Sequence, residues 1–127
     1  SGTASENDVA NQLALCVNAM LKYNGVNVDV AAELAGGKTT IDIINNSLEG
    51  KHGIDLTGCS FSEVLYYICN DQPVLAAVDN NNYVIIVGYD FYNAILLNPV
   101  TGEKYKMGQD ETGNMFKNAG NKFMVIN

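Results

Sequence analysis

The hydrophobic period of the chain changes near its middle, and that switch confines it to an α+β arrangement. Up to Asn70 the apolar residues recur at helical spacing, and from Val74 onward they come in short β-rich runs. Val9, Leu13, Cys16 and Met20 stand at i, i+4, i+7 and i+11, one stripe of a helix that Ser5 caps and Asn24-Gly25 ends near Tyr23. Asp29 is placed to cap a short helix through Leu34, stopped by Gly36-Gly37. Thr39 or Thr40 opens another, with Ile41, Ile44 and Leu48 inward and Gly50 at its end. Ser60 caps a helix from 61 to about 70, and Asp71-Gln72-Pro73 stops it.

The runs 74–78, 83–87 and 94–97 are strand-like, separated by Asp79-Asn80-Asn81-Asn82 and by 90–93. Such short loops predict an antiparallel meander. Further strands are expected at 104–107 and 122–126, with a short helix at 111–117 between them. The inner runs are apolar at successive positions, so both faces of the sheet should be covered. The expectation is an N-terminal helical half packed on a C-terminal antiparallel β-sheet, one domain over residues 1–127, with no internal repeat.

A chain of 127 residues with 47% hydrophobic and 17% charged residues has enough apolar material for one core and is not disordered. No apolar run approaches the ~20 residues of a membrane span. Seven lysines, no arginine and fourteen acids give a net charge of −7, with a pI near 4.4. A nucleic-acid partner needs a basic face, and no segment offers one. Residues 1–7 are small and polar and read as a linker, so the chain is expected to be part of a longer protein or a mature form. Cys16, Cys59 and Cys69 are too few for a disulfide framework, and the helix between the last two separates them by roughly 15 Å.

Several motifs dissolve on inspection. Gly36-Gly37-Lys38-Thr39 lacks the earlier glycine and the preceding strand of a phosphate loop, with Ala32 where the glycine should stand. The loop at Asp79 departs from a calcium loop at Tyr83-Val84. His52 is the sole histidine, in a glycine-flanked loop without companion ligands, so no metal and no cofactor is expected. Cys16 reads as a small apolar member of the buried stripe. As a nucleophile it would need a depressed pKa at a helix N-terminus or beside a histidine. A helix starting near 5–8 leaves it in mid-helix.

The stretch Asp79-Asn-Asn-Asn-Tyr-Val-Ile-Ile-Val-Gly-Tyr-Asp90, followed by Asn93-Ala-Ile-Leu-Leu-Asn-Pro99 and Gly102, resembles the papain-like cysteine peptidases that process double-glycine bacteriocin leaders. In that family a Gly-His-Tyr-Val-Val-Val-Val-Gly-Tyr-Asp strand is followed by Val-Asn-Asp-Pro. The helix ending Met20-Leu-Lys-Tyr-Asn-Gly25 resembles the family's Cys-Gly-Pro-Ala helix, which ends Leu-Arg-Tyr-Tyr-Gly. The resemblance runs over nearly the whole chain and implies a papain-like fold. Carried over residue by residue, it sets Gln12 at the nucleophile's position, Asn82 at the histidine's and Asn98 at that of the residue orienting the histidine. An amide at 82 cannot take a thiol's proton. In a second register Gln12 is the oxyanion-hole glutamine and Cys16 the nucleophile, at a spacing of four where the family has six, with no histidine on the strand that follows.

The resemblance therefore implies a papain-like domain with degenerate catalytic positions, a pseudoenzyme binding a peptide or protein without cutting it. Its cleft would lie between the Gln12 helix and the 82–98 sheet, with Cys16, Tyr83 and Tyr89 beside the three amides. The alternatives are an active cysteine peptidase using Cys16, with His52 folding back as its base, and a structural module of a secreted or surface bacterial protein. Seventeen asparagines and an acidic composition point to an extracellular or cell-surface address, and fusion to a transporter would point to the cytoplasm.

Overall fold

The computed structural model describes residues 12–127. The expected cap Ser5 and the stripe residue Val9 lie outside the described residues. Helix α1 (Gln12–Tyr23) turns off at Asn24-Gly25, where Gly25 adopts φ 80° and its N–H bonds Lys22 O. Helices α2 (Val30–Ala35) and α3 (Thr40–Ser47) start on the expected caps, with Asp29 accepting from Ala32 N–H and Thr39 from Asp42 N–H. Strand β1 (Gly53–Asp55) follows, then α4 (Phe61–Cys69), whose Ser60 and Glu63 form a reciprocal capping box. The remaining elements are β2 (Val74–Ala77), β3 (Tyr83–Tyr89), β4 (Asn93–Leu97), β5 (Lys104–Gly108), α5 (Gln109–Asn118) and β6 (Phe123–Ile126).

The six strands form one antiparallel sheet in the order β1-β6-β2-β3-β4-β5. The expected meander is β2 to β5, and β6 returns to pair β2 on its other edge. Side-chain alternation splits the core in two. Val74, Ala76, Val84, Ile86, Phe123 and Val125 join Phe61, Val64 and Phe116 of α4 and α5. Leu75, Ile85, Met124 and Ile126 join Cys16, Val17, Leu21 and Ile44 on the opposite face, under α1 to α3. The helical half is therefore divided between the faces, because the sheet is apolar on both and neither can stay wet.

Two departures from expectation have local causes. No strand is expected around the glycine-flanked loop of His52, since the three residues 53–55 carry no visible alternation, yet Gly53 pairs Ile126 and His52 exchanges two backbone bonds of 2.9 Å with Asn127. Helix α5 is longer than 111–117: Thr112, fully buried, donates its hydroxyl to Gly108 O at 2.7 Å and so closes the first turn from inside. The β3–β4 register slips between Ile86 and Gly88, and a Cβ at Gly88 would come within 3.2 Å of Ile95 Cδ1.

Candidate functional site

Helix α1 is tied to the start of β3 by one long-range hydrogen bond. Tyr83 N–H faces the β4 side, but β4 pairing ends at Ile85–Leu97, and Gln12 Oε1 accepts the stranded donor at 3.0 Å. This bond brings together the positions that the resemblance equates. Gln12, Asn82, Tyr83 and Asn98 line one hollow of about 220 Å³, joined there by Val100 and Tyr105. Two members of the expected cleft are elsewhere. Tyr89 sits at the far end of β3, six residues and roughly 20 Å on. Cys16 has no exposed surface and belongs to the core beneath.

Each amide in the hollow is already engaged within the protein. Asn82 Nδ2 donates to both carboxylate oxygens of Asp79, at 3.0 and 2.8 Å. Asn98 Oδ1 accepts Val100 N–H at 2.8 Å and Thr101 N–H at 3.3 Å, folding the β4–β5 loop over itself. Among the described residues no hydrogen bond uses Gln12 Nε2, Asn82 Oδ1 or Asn98 Nδ2. Among the described residues, tyrosines are the only ionisable side chains lining the hollow, and burial pushes the Tyr105 phenol up. None of these described side chains takes a proton at neutral pH.

The thiol of Cys16 is held in the opposite sense from a nucleophile. Desolvation raises its pKa to about 12. At pH 7 that leaves about one thiolate in 10⁵ molecules. His52 does not reach it. His52 is exposed next to Lys51, whose Nζ donates to Asn24 Oδ1 at 2.8 Å, and Asn24 lies eight residues beyond Cys16, roughly 12 Å along the helix. Among the described residues no hydrogen bond pairs the exposed His52 with the buried Cys16.

A second, more apolar hollow of about 290 Å³ adjoins the first and shares Tyr83 as its wall. Leu13, Ile41, Leu75 and Met124 form its floor, while Thr39, Asp55 and Lys122 stand at its rim. Asp55 is held by Thr57, whose hydrogen bonds lower its carboxyl below the usual range. The sequence reading missed this hollow because its rim depends on β1, the strand that was not foreseen. Gly36-Gly37-Lys38-Thr39 is the link between α2 and α3, with Lys38 bound to Glu33 at 2.6 Å. Among the described residues no three His, Cys, Asp or Glu side chains gather as a metal would require, and no helix is long and apolar enough to cross a membrane. The three cysteines are free thiols.

No family model matches the chain, and no curated protein matches it. Its fold is that of a protein from Bacillus anthracis described as a C39-like peptidase, known from a crystal structure: TM-score 0.58, 19% sequence identity, 69% of this chain covered. The match takes in 56% of that protein's chain. The α+β architecture of helices on an antiparallel sheet is thus one that this chain shares with that protein.

Proposed function

We propose that this papain-like fold is a non-catalytic module that binds an extended peptide or protein segment across the paired hollows at Tyr83. The observation that carries the reading is the chemistry of the amide hollow. Gln12, Asn82 and Asn98 meet where the resemblance calls for a nucleophile, a base and its orienting residue, and none of them ionises. What they retain is what a peptide backbone needs: two amide donors and one amide acceptor not engaged among the described residues. The apolar hollow beside them has room for a side chain from such a segment. Peptidase chemistry through Cys16 is opposed by its burial and its raised pKa.

The test titrates isotopically labelled protein with a library of unstructured peptides and follows backbone amide shifts. The expected result is saturable movement at Leu13, Asn82, Tyr83, Asn98 and Met124, with no cleavage products by mass spectrometry. Absence of movement at these positions across the library would remove the binding reading. Cleavage that disappears in Cys16→Ala would restore the peptidase reading.

A further inference from the structure

On the opposite face of the sheet, well away from Tyr83, a polar groove runs along the exposed side of α5. Its deeper part, about 490 Å³, lies between α5 and the start of α4 and is lined by Ser60, Ser62, Gln109, Asn114 and Asn121. All five are uncharged and can both donate and accept hydrogen bonds. Asp110 and Lys117 add one charge of each sign, and Glu111 adds a further negative charge where the groove continues past Asp110, so the groove does not favour an anion. The start of α4 is already closed by the Ser60–Glu63 capping box and takes no part as an anion site.

The groove continues at Gln109 and Asp110 into a hollow of about 400 Å³ walled by Phe91 and Tyr92. These rings are 86% and 75% exposed, far more than large aromatics usually are, and they meet edge to face at 4.9 Å. The hairpin that carries them is pinned. Gln109 N–H donates to Tyr92 O at 2.8 Å and Gln109 Nε2 to Asp90 O at 2.6 Å. At the other end of the groove Asn121 is fixed in left-handed backbone, φ 49°, by Gly58 N–H donating to its carbonyl and its own N–H donating to Phe116 O. Its side-chain Oδ1 is out of solvent and has no hydrogen-bond partner among the described residues. A half-turn about χ2 exchanges Oδ1 with Nδ2, so a hydroxyl lodged in the groove could meet either atom.

Exposed aromatic rings on a hairpin whose backbone is pinned, opening onto hydroxyl and amide side chains, suit one ligand chemistry. A pyranose ring presents C–H groups on its face, which the negative face of an aromatic ring attracts, and vicinal hydroxyls at its edge, which amides bind in pairs. A phosphate or nucleotide is disfavoured by a chain of net charge −7 with a single lysine in the groove. We propose that this groove is a binding site for a neutral oligosaccharide, stacked on Phe91 and Tyr92 and hydrogen-bonded along Gln109, Asn114 and Asn121. The site is independent of the hollows at Tyr83.

The test titrates the labelled chain separately with maltopentaose, cellopentaose and chitopentaose, reading backbone and side-chain amide shifts. The expected result is saturable movement at Phe91, Tyr92, Gln109, Asn114 and Asn121 for at least one sugar. Tyr92→Ala and Asn114→Ala, both surface changes, should each weaken that binding about tenfold or more. Asn121→Gly removes the unpaired acceptor and suits the left-handed backbone, so it should leave the melting temperature unchanged or higher while weakening the sugar. Silence with all three sugars at millimolar concentration overturns the proposal, as does binding that survives both surface variants. Movement of the same signals by unstructured peptides, and not by sugars, assigns the groove to a peptide and overturns it too.

Discussion

The two loops that flank β3 are built on one plan and finish differently. Asp79-Asn80-Asn81-Asn82 and Asp90-Phe91-Tyr92-Asn93 each run from Asp to Asn in four residues. In both, the carboxylate accepts the N–H groups of the third and fourth residues and the side-chain amide of the fourth. Asp79 does so at 2.8, 2.9 and 2.8–3.0 Å, and Asp90 at 3.0, 2.8 and 3.2 Å. The fourth-position asparagine is thus the closing member of the turn in each case. At Asn82 it also occupies the position where the resemblance calls for a histidine. A residue recruited to close a loop is not available as a base, whereas the two tip positions are free to carry asparagines in one loop and exposed aromatics in the other.

The two ends of β3 differ as sharply in their thiols, and that contrast gives the largest expected effect. Cys16 lies sealed beneath the Tyr83 end, and Cys69 is exposed and contacts Tyr89 at the other. Alkylation of the native protein should modify Cys69 and spare Cys16 until unfolding. The buried thiol also has a pH consequence. Its folded pKa, about 12, stands above the value of the unfolded chain, so the folded state holds the proton more tightly. The resulting stability is complete below about pH 8.5 and is lost as pH rises towards 12, by about 1.4 kcal/mol per unit. Urea midpoints from pH 8 to 11 should therefore fall more steeply for the wild type than for Cys16→Ala. Equal slopes would mean that Cys16 is solvated, and the sealed core beneath Gln12 would have to be given up.

The bond between Gln12 and Tyr83 comes next. Gln12→Ala leaves a part-buried N–H at the end of β3 without a partner, a loss of about 1–2 kcal/mol in chemical denaturation. Hydrogen exchange of Tyr83 should quicken with it. If stability is unchanged and Tyr83 exchanges as before, water serves that donor and Gln12 is released for another role. Closing the loops is a smaller matter. Asn82→Ala and Asn93→Ala should each lose about 1 kcal/mol, and to similar extents, because each removes an equivalent amide from an equivalent carboxylate. A much larger loss at either site would break the parallel between the loops.

Helix starts were legible in the sequence because their signals are local: Asp29, Thr39 and Ser60 each bond a backbone N–H three residues on. The meander was legible because short Asp/Asn loops join apolar runs. Strand β1 was not, since its pairing partner β6 lies some seventy residues away and its own three residues carry no period. The buried face of α1 was only partly read. Ala14, Val17 and Leu21 are buried beside Cys16 and Met20, so the apolar stripe is wider than the four residues that mark its period. The convergence of Gln12, Asn82 and Asn98 followed from the resemblance, whereas the apolar hollow and the α5 groove depend on packing between elements far apart in the chain.

The smallest effect separates the loops by their charge. Asp79 is held below the ordinary carboxylate range chiefly by the Asn82 side chain. Asp90 is held lower, at about 2, first by Lys106, whose ammonium lies 2.8 Å away, and then by Asn93 and Tyr92 N–H. Both folded values lie below that of an unfolded aspartate, so each contribution is present above about pH 4. Each declines as pH falls from there and is gone below the folded value, which for Asp90 is about 2. Both carboxylates are exposed, so the effect on stability is slight and the direct reading is a carboxyl titration by NMR. Salt should discriminate between them. Screening weakens the ion pair with Lys106 and raises the Asp90 midpoint, while the amide-held Asp79 stays nearly fixed. If both midpoints move together with salt, long-range charge governs the pair, and the side-chain amides contribute less to the closed loops than their geometry implies.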